Sequence, residues 1–424
     1  MNFALAFFLI LFFALSVPVA VSIGLASVFS IHFFSNLPLL VVPQKMFTGL
    51  DSFPLMAVPF FILAGVIMTH GGISERLVDF VKALIGGIQG GLASSCVLTC
   101  MVFAAISGSS VATTFAIGSI LIPAMVKHGY PTPMAAAIQA SSAELGVIIP
   151  PSVPLILYAV STETSITKLF MAGLVPGVTV ALGLVLMVQI WCRIKGYGRN
   201  DGDSRVPLPQ ATYRAFGALL MPIIIIGGIY GGIFTPTEAA AVSVVYALVL
   251  SVFWYREIRL SELPALFRQA AKSSGAVMFI IAAASLFSFL ISLSGLPDAV
   301  GAWSKETFSS YITFLLGINV LLFFVGMFIE TSAAILVLAP ILTPVAMSFG
   351  IDPVHFGVVI AVNLALGMFT PPLGVNLFAA AQVADMPVQK MFTSLAWPIL
   401  VVVSVLLLIT YTPALSIGVA NLLM

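Results

Sequence analysis

Long apolar runs separated by short polar connections dominate the chain. Runs long enough to cross a bilayer, which takes about 20 residues, lie at about 2–31, 54–69, 131–162, 166–192, 215–234 and 236–254, and again at about 273–294, 354–384 and 394–420. Each predicts a helix, because a segment in lipid must satisfy its backbone hydrogen bonds internally. Two further stretches, 92–128 and 311–349, have apolar flanks around a polar, small-residue centre: SGSSVATT at 107–114 and ETSAA at 330–334. That pattern predicts two re-entrant hairpins. Ahead of each lies an amphipathic, charge-bearing piece, ISERLVDFVKALIG at 73–86 and REIRLSELPALFRQAAK at 256–272, suited to a helix lying at the membrane interface.

The pattern is written twice. Residues 141–162 read SSAELGVIIPPSVPLILYAVST and residues 363–384 read NLALGMFTPPLGVNLFAAAQVA, so Pro150-Pro151 and Pro371-Pro372 stand 221 positions apart (150 to 371). The same offset pairs Gly146 with Gly367, Gly129 with Gly350 and Pro123 with Pro344; after a slip of one, Lys168, Phe170 and Pro176 meet Lys390, Phe392 and Pro398. A double proline removes backbone donors and breaks a helix. In lipid such a break is tolerated where it is buried in protein or lines a cavity. Matched breaks in two halves are the sequence mark of a secondary transporter with its site near the midplane. The expected fold class is therefore an all-α polytopic membrane protein with inverted repeats, two re-entrant hairpins and broken helices. The repeats span 1–192 and 215–424, joined by a hydrophilic linker at 193–214. Inversion needs an odd number of crossings between equivalent points. Four are clear before residue 193, so either the 36–52 segment or one hairpin limb must supply another.

Composition agrees: 61% of residues are hydrophobic and 7% charged, and the mean hydropathy is +1.19. A net charge of +1 gives no argument for a nucleic-acid partner. The linker carries Arg193, Lys195, Arg199, Arg205 and Arg214 against Asp201 and Asp203, which the positive-inside rule assigns to the cytoplasm. Trp191, Trp254, Trp303 and Trp397 fall near predicted helix ends, where indoles sit at headgroup level. Cys96, Cys100 and Cys192 form neither a disulfide framework nor a transition-metal motif. The N-terminal run lacks a basic start and an A-x-A-like exit, so it reads as a retained transmembrane helix.

A tip reading Ser107-Gly108-Ser109-Ser110 with Thr113-Thr114 behind it offers hydroxyls and free carbonyls, the oxygen ligands that hard cations such as sodium take. Unwound carbonyls of broken helices serve cations, and half-helix N-termini favour anionic groups. The breaks at Gly146 to Ser152 and Gly367 to Gly374 are thus natural partners for the two tips. The competing reading is that Ser, Thr and Gly let helices pack closely. Asp51, Glu144, Glu238 and Glu330 stand in apolar company. Glu144 precedes the first break and Glu330 opens the second tip, so both are placed to face a pathway. Glu238 follows Thr235-Pro236-Thr237 and, like Asp51, fits a capping or structural role better. His32, His70, His128 and His355 sit at segment ends and suggest no constellation.

The strings DSFPLMAVPFFILAG (51–65), AAISGSSVATT (104–114), GVIIPPS (146–152), KLFMAGLVPG (168–177), GGIFTPTEAAAV (231–242) and GMFTPPLG (367–374) resemble the large membrane subunit, DctM type, of tripartite ATP-independent periplasmic (TRAP) transporters. The resemblance runs in order along essentially the whole chain. It implies an elevator-type carrier in the bacterial inner membrane that couples organic-acid uptake to sodium and needs no other cofactor. Its implied partners are a small four-helix membrane subunit (DctQ type) and a periplasmic substrate-binding protein (DctP type). Carried over to this chain, one sodium site would use Ser107, Ser109, Ser110, Gly146 and Pro150, and a second Glu330, Thr331, Ser332, Gly367 and Thr370. Substrate would sit between, near Ser152, Asn376 and Glu144. Glu144 departs from the small or hydroxyl residue usual in the family, which bears on ion count or substrate charge.

The resulting expectation is a permease subunit for a small carboxylate such as a C4-dicarboxylate or sialic acid. One rival is a stand-alone sodium-coupled carrier or sodium/proton antiporter of the same superfamily. Another is an intramembrane hydrolase with a serine nucleophile in SGSS, which would need a His or Lys base at matching depth. None of the four histidines is placed for it.

Overall fold

The computed structural model describes residues 2–199 and 206–423, and every regular element among them is helical. The expected first span at 2–31 is two helices, α1 (Asn2–Ala14) and α2 (Val19–Phe34). Pro18 has no N–H with which to continue α1, and Ser16 turns the chain with φ 58°. The pair is antiparallel, as the ring contacts Phe8–Phe34 and Phe12–Phe29 record. Next come α3 (Val41–Leu50) and α4 (Ala57–His70), separated by a 3₁₀ turn at Phe53–Met56 that Pro54 helps start. α3 is 10 residues long, about 15 Å at 1.5 Å per residue, so the 36–52 segment does not cross. The run at 2–31 is thus two shorter apolar helices, of 13 and 16 residues, in place of one long span.

The amphipathic α5 (Ile73–Ile85) buries Ile73, Leu77, Val78 and Val81 on one face and packs on the helices that follow. The first hairpin is α6 (Gly91–Ser107) and α7 (Ser110–Lys127), within a residue of its predicted limits. The first broken helix is α8 (Thr132–Ala143), the single turn α9 (Leu145–Ile148) and α10 (Val153–Ser161), bent by 42° across the break. α11 (Ile166–Lys195) has 30 residues and traverses the molecule. α12 (Leu208–Tyr230) follows, so Arg193, Lys195 and Arg214 of the expected linker are helical, and Asp201, Asp203 and Arg205 lie outside the described residues.

The second half repeats this order: α13 (Pro236–Leu248), which continues as a π-helix over Val249–Trp254, then α14 (Leu263–Leu293) and α15 (Leu296–Thr307). The second hairpin is α16 (Tyr311–Phe328) and α17 (Thr331–Ser348); the second broken helix is α18 (Pro353–Met368) and α19 (Val375–Val383). α20 (Phe392–Tyr411) and α21 (Ala414–Leu423) close the chain. One expectation fails here. The 256–272 piece is not a separate interfacial helix, because nothing between Lys272 and Ser273 interrupts the helix and its second part is the start of the 31-residue α14. The amphipathic element ahead of the second hairpin is α15, with Asp298 and Lys305 in its end turns.

The two halves are inverted. The open end of hairpin one lies at the C-terminal end of α11, where Gln89 Nε2 donates to the carbonyls of Cys192 (3.1 Å) and Tyr197 (3.2 Å) and Gln189 Nε2 to Ser94 Oγ (2.7 Å). The open end of hairpin two lies at the other end of α11, where Asp352 and Pro353 share a cavity wall with Thr164, Ser165 and Lys168. There Tyr158, at the end of the first broken helix, donates to Pro353 O (2.7 Å). Two exchanges express the same symmetry: α10 packs on α17 while α19 packs on α7, and α13 packs on α4 while α2 packs on α14. The main core, with Phe103, Tyr158, Phe170, Phe356 and Phe369 fully buried, surrounds the hairpins and breaks. A smaller cluster, including Leu5, Ile23, Ile31, Phe287 and Leu290, joins α1 and α2 to α14.

Candidate functional site: two hairpin tips against two broken helices

Tip one is built from its own hydroxyls. Ser107 Oγ lies 3.0 Å from Thr113 Oγ1, which donates to Ser109 O (2.8 Å), and Ser109 Oγ caps α7 by accepting Ala112 N–H (3.4 Å). Gly108 turns the chain at φ 60°, and its carbonyl accepts the N–H of Val153 beyond the double proline. Gly146 brings the break against the tip: a Cβ there would stand 2.8 Å from Ser109 O. Pro150 is buried and packs toward α11 at Gly173. Ser152 caps α10 by accepting Leu155 N–H and donates to Val147 O. The bond between the two prolines is cis in both breaks.

Tip two uses a carboxylate where tip one uses a serine. Glu330, the counterpart of Ser109 at the 221 offset, caps α17: its carboxylate accepts Ser332 N–H (2.9 Å), Ala333 N–H (3.2 Å) and Ser332 Oγ–H (2.9 Å). Gly367 meets the first limb of its hairpin backbone to backbone, with its Cβ position 2.3 Å from Gly326 C. Thr370 Oγ1 donates to Leu366 O at the break (2.7 Å). The two tips meet at Met368, whose sulfur accepts Thr331 Oγ1–H (2.8 Å) and lies 3.9 Å from Ser110 Oγ.

A cavity of about 710 Å³ opens onto this junction. Of the residues singled out in the sequence, Ser107, Ser109, Ser110, Glu330 and Ser332 line it; Gly146, Pro150, Ser152, Thr331, Gly367, Thr370, Glu144 and Asn376 are not in its lining. Glu144 and Asn376 are joined to each other, Asn376 Nδ2 donating to Glu144 Oε1 across the two halves. The sequence reading missed Met368 and the facing wall of Gly65, Thr69 and His70 on α4 and Gln269 and Ser273 on α14. Ser110 and Thr331 sharing the 221 offset pointed toward the Met368 bridge, but the sulfur itself sits in an apolar string. Among the described residues the lining contains no Lys or Arg; its polar side chains are Ser107, Ser109, Ser110, Glu330 and Ser332 at the tips and Thr69, His70, Gln269 and Ser273 opposite them.

The remaining acids and histidines fall elsewhere. Glu238 forms a capping box with Thr235, whose Oγ1 accepts Glu238 N–H (3.3 Å) while Glu238 Oε2 accepts Thr235 N–H (2.8 Å). Asp51 is exposed after α3. His355 is buried between Ser416 Oγ (2.7 Å) and Thr410 O (3.2 Å), and His128 Nδ1 contacts Ala124 O (2.9 Å). Cys96 donates to Gln139 Oε1 (3.0 Å) inside the first half.

Inverted halves, each pairing a re-entrant tip with a broken helix around a shared cavity, define the secondary-transporter class of membrane protein. The chain matches the model of the DctM component of tripartite ATP-independent periplasmic transporters over residues 6–415, and it belongs to that family. It is 42% identical over 421 residues to the C4-dicarboxylate TRAP transporter large permease protein DctM of Rhodobacter capsulatus, covering 96% of each chain. It is 39% identical over 344 residues to the sialic acid large permease SiaM of Vibrio cholerae, covering 81% of each. The isethionate permease DctMQ of Oleidesulfovibrio alaskensis is 42% identical over 405 residues, 95% of this chain and 64% of that protein. Among solved structures the Alcanivorax borkumensis YdaH transporter shares the fold, with a TM-score of 0.64 and 15% identity over 88% of this chain and 87% of that one. The chain is a transporter permease, not an enzyme.

Proposed function

We propose that this permease imports a small carboxylate driven by a sodium gradient, taking it from a periplasmic binding protein and working with a small membrane subunit in the bacterial inner membrane. The observation that carries the reading is the cavity bounded by both tips, with hydroxyl, carbonyl and carboxyl oxygens on its wall and, among the described residues, no Lys or Arg. An organic anion there draws on the N-terminal ends of α7 and α10. Cations at the two tip-and-break junctions supply the remaining positive charge, through Ser107, Ser109, Ser110 and the Gly146 to Pro150 break on one side, and Glu330, Thr331, Ser332, Gly367 and Thr370 on the other.

Sidedness follows from charge. Arg76, Lys127, Arg193, Lys195, Arg214, Arg256, Arg259, Arg268 and Lys272 gather at the end of the molecule where α11 terminates, whereas Lys45, Lys168 and Lys305 belong to the opposite end. The basic end is cytoplasmic by the positive-inside rule. His70, at the end of α4, and Gln269, near the start of α14, line the cavity at that end, which supports reading it as the release position of an elevator cycle. R. capsulatus DctM and V. cholerae SiaM are named for C4-dicarboxylates and sialic acid, which sets the first substrates to try.

The test is uptake into proteoliposomes holding this chain and its small subunit, with purified binding protein and a panel of carboxylates outside. Uptake is expected only with an inward sodium gradient and loaded binding protein. Equal uptake with potassium in place of sodium would refute the coupling. Rapid uptake by this chain alone would favour a stand-alone carrier.

A further inference from the structure

Glu144 and Asn376 are the least explained polar pair in the molecule. Glu144 is 1% exposed and Asn376 fully buried, and one hydrogen bond joins them. The other two acceptors of the pair, Glu144 Oε2 and Asn376 Oδ1, have no hydrogen-bond partner. A buried carboxylate with half its capacity unused is costly unless a counter-charge accompanies it. Among the described residues Glu144 forms no ion pair.

The pair is not needed to build the fold. At the 221 offset Glu144 corresponds to Ala365 and Asn376 to Leu155, both buried and apolar, so the symmetry-related position holds no such polar pair. The residues also lie outside the cavity lining. They sit between the halves, since Glu144 joins α8 to α9 and Asn376 is in the first turn of α19, which packs on α8. Ser141, buried and one turn before Glu144, puts a hydroxyl oxygen on the same helix face. A carboxylate oxygen, an amide oxygen and a neighbouring hydroxyl form an oxygen set of the kind hard cations take.

We infer that Glu144 and Asn376 bind a sodium ion at a third site, set between the two halves, unduplicated and separate from the two tip-and-break junctions. The inference rests on the sodium-coupled reading above. Occupation would neutralise Glu144 and tie the first break to the half-helix α19 of the other half.

The experiment measures equilibrium binding of ²²Na⁺ to the purified permease in nanodiscs, together with sodium-driven uptake. Glu144→Gln is expected to bind one sodium ion fewer per chain than wild type and to show a lower sodium-to-substrate ratio. Should Glu144→Gln fail to fold, the double variant Glu144→Ala/Asn376→Leu, which puts at each position the apolar residue of its counterpart, Ala365 or Leu155, is read instead with the same expectation. Asn376→Asp, measured alongside, should retain the full stoichiometry. Full sodium stoichiometry in both Glu144 variants would overturn the inference while leaving sodium coupling intact. Unchanged sodium stoichiometry with an altered pH profile would overturn it in favour of a proton. Wild-type protein that binds no sodium would instead defeat the functional reading on which it rests.

Discussion

At the residue scale the site depends on where side chains are missing. Gly146 and Gly367 let each break touch its hairpin through backbone, and the added methyl of alanine would stand 2.8 Å from Ser109 O in one case and 2.3 Å from Gly326 C in the other. Neither obstacle is a flexible side-chain end. Gly367→Ala is therefore expected to destabilise the protein by about 1–3 kcal/mol, the usual cost of overpacking, read as a fall in the thermal midpoint in detergent. Gly146→Ala should move tip one and raise the sodium concentration for half-maximal uptake by about tenfold, equivalent to about 1.4 kcal/mol. Gly227→Ala is the control: nothing lies within 4 Å of its Cβ position, so alanine in mid-helix should be neutral or slightly stabilising. The prolines, glycines and tip hydroxyls were legible in the sequence because each alters backbone donors or supplies oxygen amid hydrocarbon. Met368 was not, since a thioether in an apolar string reads as core. The Glu144–Asn376 contact spans 232 positions, and only the tertiary fold brings it together.

At the element scale both hairpins were readable nearly to the residue, because a polar centre between apolar limbs has no other stable placement in lipid. The errors arose where length was judged without punctuation. Pro18 splits the first apolar run, and the charged start of α14 looked like a separate helix although no Gly or Pro interrupts it at that point. Pro54 explains why α3 and α4 are broken where α14 is continuous: the first half spends in a bend what the second half runs straight. The Thr235 capping box starts α13, which packs on α4. Thr235→Ala should cost about 1 kcal/mol through the lost cap, seen as a lower melting point with substrate affinity unchanged, since Thr235 is not in the lining of the tip cavity.

Across the whole molecule, inversion and sidedness make one prediction together. In a background without native cysteines, Ser273→Cys, on the cavity wall, is expected to react with a membrane-impermeant maleimide only from the cytoplasmic face. Thr164→Cys, at the opposite end of α11, should react only from the other. Labelling of both from one face would contradict the inverted arrangement. The inversion itself was readable from the 221-residue offset, but its parity was not, because parity depends on whether a run such as 2–31 passes once or folds back.

The unlike caps of the two hairpins have a directional consequence. A pseudo-twofold fold with identical tips would accept a cargo in either of two orientations related by the symmetry axis. Ser109 caps the start of α7 with a hydroxyl, while Glu330 caps the start of α17 with a carboxyl group. On the proposed function an anionic group is drawn to the first, whereas the second is matched to a cation. The cargo is therefore expected to take a preferred heading, with its charged end toward the first hairpin, so that a molecule with one carboxylate and one neutral tail would be held as a vector.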